Sequence, residues 1–182
     1  MTNKPPASSP GKRLVEVFTG SGKGKTSAAL GMVLRALGHD LRVCIIFFMK
    51  GNYPYGEKKT LAHFPNVTFS IFGGLGFVDP RHVKEEDKRE AKKALEAGRE
   101  AVMSGKYDLV VLDEVNVAVA WKLVELDDVI KLIEDKPESV ELILTGRYAD
   151  PKIVKMADLV TEMVAIKHPY DEGIQARAGF EY

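Results

Sequence analysis

Thr19–Gly20–Ser21–Gly22–Lys23–Gly24–Lys25–Thr26 is the stretch on which the fold of this 182-residue chain turns. The apolar run Leu14–Phe18 precedes it, and a helix-forming segment from Lys25 to Leu37 follows and stops at Gly38. Strand, glycine-rich loop and helix in that order are the setting a phosphate-binding loop needs. Glycines let the backbone curl with its N–H groups inward, and the helix N-terminus adds partial positive charge where phosphate oxygens would sit. In that role Gly20, Ser21, Gly22, Lys23, Gly24, Lys25, Thr26 and Ser27 surround the anion. Lys25 crosses the phosphates, and the Thr26 hydroxyl faces Mg²⁺ or Mn²⁺. The usual spacing of the motif puts glycine at position 19, where this chain has Thr19. A plain glycine-rich turn is the competing reading, and by position alone Lys23 serves equally as a surface lysine.

Outward from the loop, Arg42–Phe48, Val67–Phe72, Leu109–Leu112, Val140–Leu144 and Leu159–Val164 read as further strands, most of them nearly continuous in apolar character. Helical patterns fall between them at about 83–103, 127–134 and 151–157, and residues 50–57 read as a loop. Strands alternating with helices give a single α/β domain with a mainly parallel sheet flanked by helices, of the P-loop NTPase-like (RecA-like) kind. The proline-rich, polar residues 1–13 read as a flexible tail, and 14–182 as the domain. Ligands of such sheets sit at the carboxyl ends of the strands, so the loops after Phe18, Phe48, Phe72, Leu112 and Leu144 are expected to meet at one site.

Asp113 and Glu114 close the apolar strand Leu109–Leu112 in the manner of a Walker B segment, whose acid holds Mg²⁺. Capping of a following helix is the alternative for such a pair. Arg147 follows another strand end, placed either to bind phosphate or to tie loops together by a salt bridge. Lys plus Arg and Asp plus Glu both number 26, so no basic footprint for nucleic acid is present. The lone cysteine, Cys44, lies in an apolar strand and excludes a disulfide framework or a four-thiolate zinc site. Neither a secretory h-region nor a membrane-spanning run occurs, so a cytoplasmic protein is expected.

These segments together resemble the P-loop family of ATP:corrinoid adenosyltransferases, the CobA/BtuR type, from about Val15 to Tyr182. The resemblance is carried by the loop Thr19–Thr26, Arg35 with Gly38 and His39, Phe48–Met49–Lys50–Gly51 with Gly56 and Glu57, and Gly76 with Phe77. It continues through the stretch from Val111 to Asn116, Leu144–Thr145–Gly146–Arg147, and the ending from Lys167 to Tyr182. The ending is the most specific part, and Thr19 itself matches the family's modified loop, which holds ATP in reversed orientation.

The resemblance implies transfer of the 5′-deoxyadenosyl group of ATP to Co(I) of a corrinoid, with release of tripolyphosphate. It implies Gly20 to Thr26 on the triphosphate, Arg35 near the nucleoside, Glu114 on metal or ribose, and Phe77 on the corrinoid. A flavodoxin-type reductase as electron donor and a homodimer are implied in the same way. Where many relatives carry Trp two residues beyond that aromatic, this chain has Asp79, and its only tryptophan, Trp121, reads as packing.

Displacement at a saturated carbon by Co(I) needs no general base; it needs alignment, neutralisation of the departing phosphates and exclusion of water. His39, His63 and His82 accordingly read as surface or structural residues, while His168 either packs the C-terminal tail or touches ligand. The same loop and acid pair also suit a small-molecule kinase, or an ATP-dependent carrier without turnover.

Overall fold

The computed structural model describes residues 12–51, 54–74, 76 and 78–181. Six strands, β1 (Val15–Thr19), β2 (Val43–Phe47), β3 (Val67–Ile71), β4 (Leu109–Asp113), β5 (Glu141–Thr145) and β6 (Leu159–Glu162), form one sheet in the order β3-β2-β4-β5-β1-β6. Every pairing is parallel. Between them run α1 (Lys25–Leu37), α2 (Gly56–Leu61), α3 (Glu85–Met103), α4 (Val115–Ala120), α5 (Leu126–Asp135) and α6 (Pro151–Met156). A 3₁₀ turn covers Pro169–Glu172.

Strand side chains alternate between two apolar layers, as the period of a strand dictates. Val17, Ile46, Leu112 and Leu144 pack with α3, α4 and α5 through Ala94, Val115 and Leu132. Phe18, Ile45, Phe47, Val111 and Ile143 pack on the other face with Ala29 and Val33 of α1 and Leu61 of α2. The central strands β2 and β4 are buried along their whole length, which explains their unbroken apolar sequence. The edge strand β3 instead alternates between partly buried and exposed residues.

Two helices were not expected. Residues 56–61 form α2 inside the segment read as leading out of a loop, and 115–120 form α4 directly after the acid pair. Each has only six residues, too few to show a helical period, and α4 carries the β-branched residues Val115, Val117 and Val119, which favour strands. Cys44 is buried in β2, and burial raises its thiol above the ordinary range. Trp121 ends α4 and packs against the core. Of the tail expected over residues 1–13, residues 1–11 lie outside the described residues, while Arg13 is anchored, its N–H donating to Glu138 O at 3.0 Å.

Candidate functional site

The parallel register brings the ends of β1, β2, β4 and β5 level with one another, Phe18 beside Thr145, Leu112 beside Leu144, and Phe47 beside Asp113. The loop from 20 to 24 curls over this edge. Gly20 has φ +97°, and a Cβ there would stand 2.4 Å from Met163 O. Gly22 is equally confined, its N–H donating to Met163 O at 2.6 Å. The strand end beyond β6 therefore backs the loop, and only glycine fits against it.

A cavity of about 480 Å³ opens on the other side of the loop. Lys23, Gly24, Lys25, Thr26 and Ser27 form one wall, and Lys50, Tyr55, Glu57 and Glu114 face them. Lys25 is buried, and its Nζ donates to Gly22 O at 2.6 Å. Burial lowers its pKa, and Arg147 adds to that, while Glu114 and Asp113 oppose it. Lys23 Nζ donates to Phe180 O at 2.8 Å and to Glu181 at 2.9 Å, so the C-terminal segment is strapped onto the loop. Arg177 also holds Glu181, and these contacts keep its carboxyl well below the usual range.

The acid pair divides into two roles. Asp113 is almost fully buried; its Oδ1 accepts from Thr26 Oγ1 at 2.8 Å and from Thr145 Oγ1 at 2.7 Å, and Lys50 Nζ lies 2.7 Å from its Oδ2. Glu114 sits at φ +70°, a left-handed conformation that costs a non-glycine residue roughly 1–3 kcal/mol and is held here by its N–H donating to Thr145 Oγ1 at 2.9 Å. Its side chain lines the cavity without a hydrogen bond or close ion pair among the described residues. Burial first, and Asp113 second, raise its pKa. An unpaired carboxylate beside the Thr26 hydroxyl and a phosphate loop is a donor set that fits Mg²⁺, whose remaining ligands come from phosphate and water.

Not every expected residue joins this cavity. Arg35 lies ten residues along α1 from Lys25, roughly 15 Å away, and lines a separate cleft with Met32, His39 and Glu141. Arg147 is exposed, makes no hydrogen bond or ion pair among the described residues, and acts on Lys25 and Glu114 only through its charge. Phe77 lies outside the described residues. Asp79 organises a turn, accepting from Arg81 N at 3.0 Å and standing 3.1 Å from His82 Nδ1. These contacts, the backbone N–H of Arg81 foremost, lower its pKa to about 2. His168 caps the 3₁₀ turn by accepting from Tyr170 N at 3.2 Å.

Lys50 also lines the cavity, although the motifs in the sequence assign it no role. The available signal was its position, a lysine just past the carboxyl end of a buried strand and followed by glycine, where ligand sites gather in parallel sheets.

The family described as ATP:corrinoid adenosyltransferase BtuR/CobO/CobP matches residues 11–182. A corrinoid adenosyltransferase of Pseudomonas aeruginosa is 38% identical over 166 residues, covering 91% of this chain and 82% of that protein. One from Sinorhizobium sp is 36% identical over 173 residues, 94% of this chain and 81% of the relative. One from Escherichia coli K12 is 33% identical over 169 residues, 93% and 85% respectively.

Proposed function

Because the chain belongs to the ATP:corrinoid adenosyltransferase family, we propose that its cavity takes the triphosphate of ATP and that the chain's own cations carry the leaving-group charge of adenosyl transfer. It is a corrinoid adenosyltransferase, with ATP and a corrinoid as substrates. The observation that carries the site assignment is the convergence of Lys23, Lys25, Thr26 and the unpartnered Glu114 on one 480 Å³ cavity.

In the reaction the cobalt electron pair forms a bond to the 5′-carbon while the bond from that carbon to the phosphate oxygen breaks. Cobalt goes from Co(I) to Co(III), and tripolyphosphate departs with the bonding electrons. The nucleophile carries no proton, so no residue has to remove one. Lys25 exchanges its contact with Gly22 O for the phosphates, and Lys23 exchanges Glu181 for them. The loop N–H groups and the start of α1 add fixed positive potential where the negative charge grows. Thr26 and Glu114 would hold Mg²⁺, which when bound supplies further neutralisation of the leaving group.

Arg147, with its free guanidinium, is proposed as a second-rank phosphate contact, and Phe77 as a corrinoid contact. An external flavodoxin-type reductase would supply the electron to cobalt, and the cytoplasm, where such donors occur, is the proposed location. No described helix is long and apolar enough to cross a membrane. A homodimer is proposed as well, supported by the exposed apolar residues Leu159, Val160 and Val164 on and beyond the edge strand β6.

ATP labelled separately at the 5′-carbon and at phosphorus tests the assignment. The carbon label should appear on cobalt and all three phosphorus atoms in one tripolyphosphate; label divided between ADP and a phosphorylated acceptor would reject it.

A further inference from the structure

Lys50 is a largely buried cation whose position is fixed by the shape of its own loop. Met49 before it has φ +55° and Gly51 after it φ +32°. Lys50 N donates to Phe72 O at 3.0 Å, and a Cβ on Gly51 would lie 2.2 Å from Gly74 O. The loop therefore closes only with glycine at 51, and it turns the Lys50 side chain, 9% exposed, toward the end of β4. There Nζ stands 2.7 Å from Asp113 Oδ2 and 3.7 Å from Glu57 Oε1, with the rings of Tyr55 and Phe47 at 4.6 and 5.0 Å.

This arrangement bears on which acid meets a metal. Oδ1 of Asp113 is taken by Thr26 and Thr145, and Oδ2 faces an ammonium. A divalent ion approaching Oδ2 would meet a like charge at contact distance, whereas Glu114, on which Lys50, Lys25 and Arg147 act only through their charge, has no cation within ion-pair distance among the described residues. Resting on the adenosyltransferase reading of the cavity, we propose that Lys50 is the internal cation that occupies Asp113, reserves it for orienting Thr26, and directs the divalent metal to Glu114. Lys50 is in this sense a positioning residue. Without it, two adjacent carboxylates share the ion, and Asp113 is drawn off the Thr26 hydroxyl.

The test is Mn²⁺ binding followed by electron paramagnetic resonance, with ATP present and corrinoid absent so that no turnover occurs. In the native background E114Q should weaken Mn²⁺ by roughly tenfold or more. In K50M, Mn²⁺ should bind more tightly than in the native protein even without ATP, and the E114Q penalty should largely vanish because Asp113 takes over. K50R should restore the native pattern. An unchanged Mn²⁺ affinity and an unchanged E114Q penalty in K50M would overturn the proposal. If K50M does not fold, K50M/D113N removes both charges together. It should bind Mn²⁺ like the native protein, and loss of binding there would show Asp113 to be a metal ligand and overturn the proposal. Mn²⁺ and ATP binding in the expected pattern but without adenosyl transfer would refute the reaction assigned to the cavity and leave the role of Lys50 standing.

Discussion

Lys25 is held in the wall of the cavity by a single carbonyl in its own loop, in surroundings that burial makes unfavourable for its charge. A polyanion relieves that condition, so Lys25→Ala should lower kcat/KM by about 10²–10³-fold, the usual loss when one preorganised donor to a developing charge is removed. Steady-state kinetics would show it, and a loss under threefold would place the leaving group elsewhere. Glu16 presents the opposite case. Its side chain is buried between β1 and α1, and burial, with the Glu141 carboxyl next, raises its pKa from 4.5 to about 7. Because the folded pKa is the higher one, the favourable contribution is complete below pH 4.5 and is lost as the pH rises toward and through 7. The loss amounts to roughly 2–3 kcal/mol at pH 8. Glu16→Gln should flatten thermal stability between pH 5 and 8 and raise the melting temperature at pH 8; an unaltered slope would assign the titration to another group. At this scale the sequence displayed Lys25, Thr26 and Glu114, because a motif fixes their place at a strand-to-helix junction. It did not display the ion pair of Lys50 with Asp113, since that partner comes from a distant strand, whereas Glu57 lies only seven residues further along the chain. Arg35 takes its place near the nucleoside from the resemblance alone, whereas the helix expected from Lys25 to Leu37 already carries it roughly 15 Å from Lys25.

Among the elements, the phosphate loop and the strand end beyond β6 form one packed unit. Gly20→Ala combines an unfavourable φ with a Cβ 2.4 Å from Met163 O, and should destabilise the fold by roughly 1–3 kcal/mol and displace the loop from β6. Chemical denaturation and ATP titration should both register the change; unaltered ATP affinity would mean that this backing does not shape the loop. The elements with long apolar or amphipathic runs, β1, α1, β2, α3, β4 and β5, were readable from sequence. By contrast α2 and α4 have six residues each and are held by burial of Leu61 and of Val115, Val117 and Ala118 in the core, a tertiary effect without local signature. The turn built by Asp79 likewise shows why that position is not simply a missing aromatic: its carboxylate organises Arg81 and His82 ahead of α3.

Across the whole molecule, the sheet order sets β5 between the strand that carries the loop and the strand that carries the acids, so that Thr145 ties Asp113 and Glu114 together. That order follows from long-range pairing and could not be read from strand patterns alone, although the α/β class could. At one border of the sheet β6 is exposed along its full length, and Leu159, Val160, Val164 and Ile166 leave an apolar surface there. Light scattering is expected to give twice the 20.1 kDa chain mass, and Val164→Lys to shift it toward the monomer; a native monomer would remove the proposed dimer. The central claim is that the cavity delivers the 5′-carbon of ATP to reduced cobalt. It is tested most directly by an anaerobic single-turnover assay with ATP, Mg²⁺ and chemically reduced cobalamin. The account predicts loss of the Co(I) absorbance matched by equal amounts of a light-sensitive cobalt–carbon product and tripolyphosphate. Persistent Co(I) with ATP bound, or ADP as the phosphate product, would contradict it.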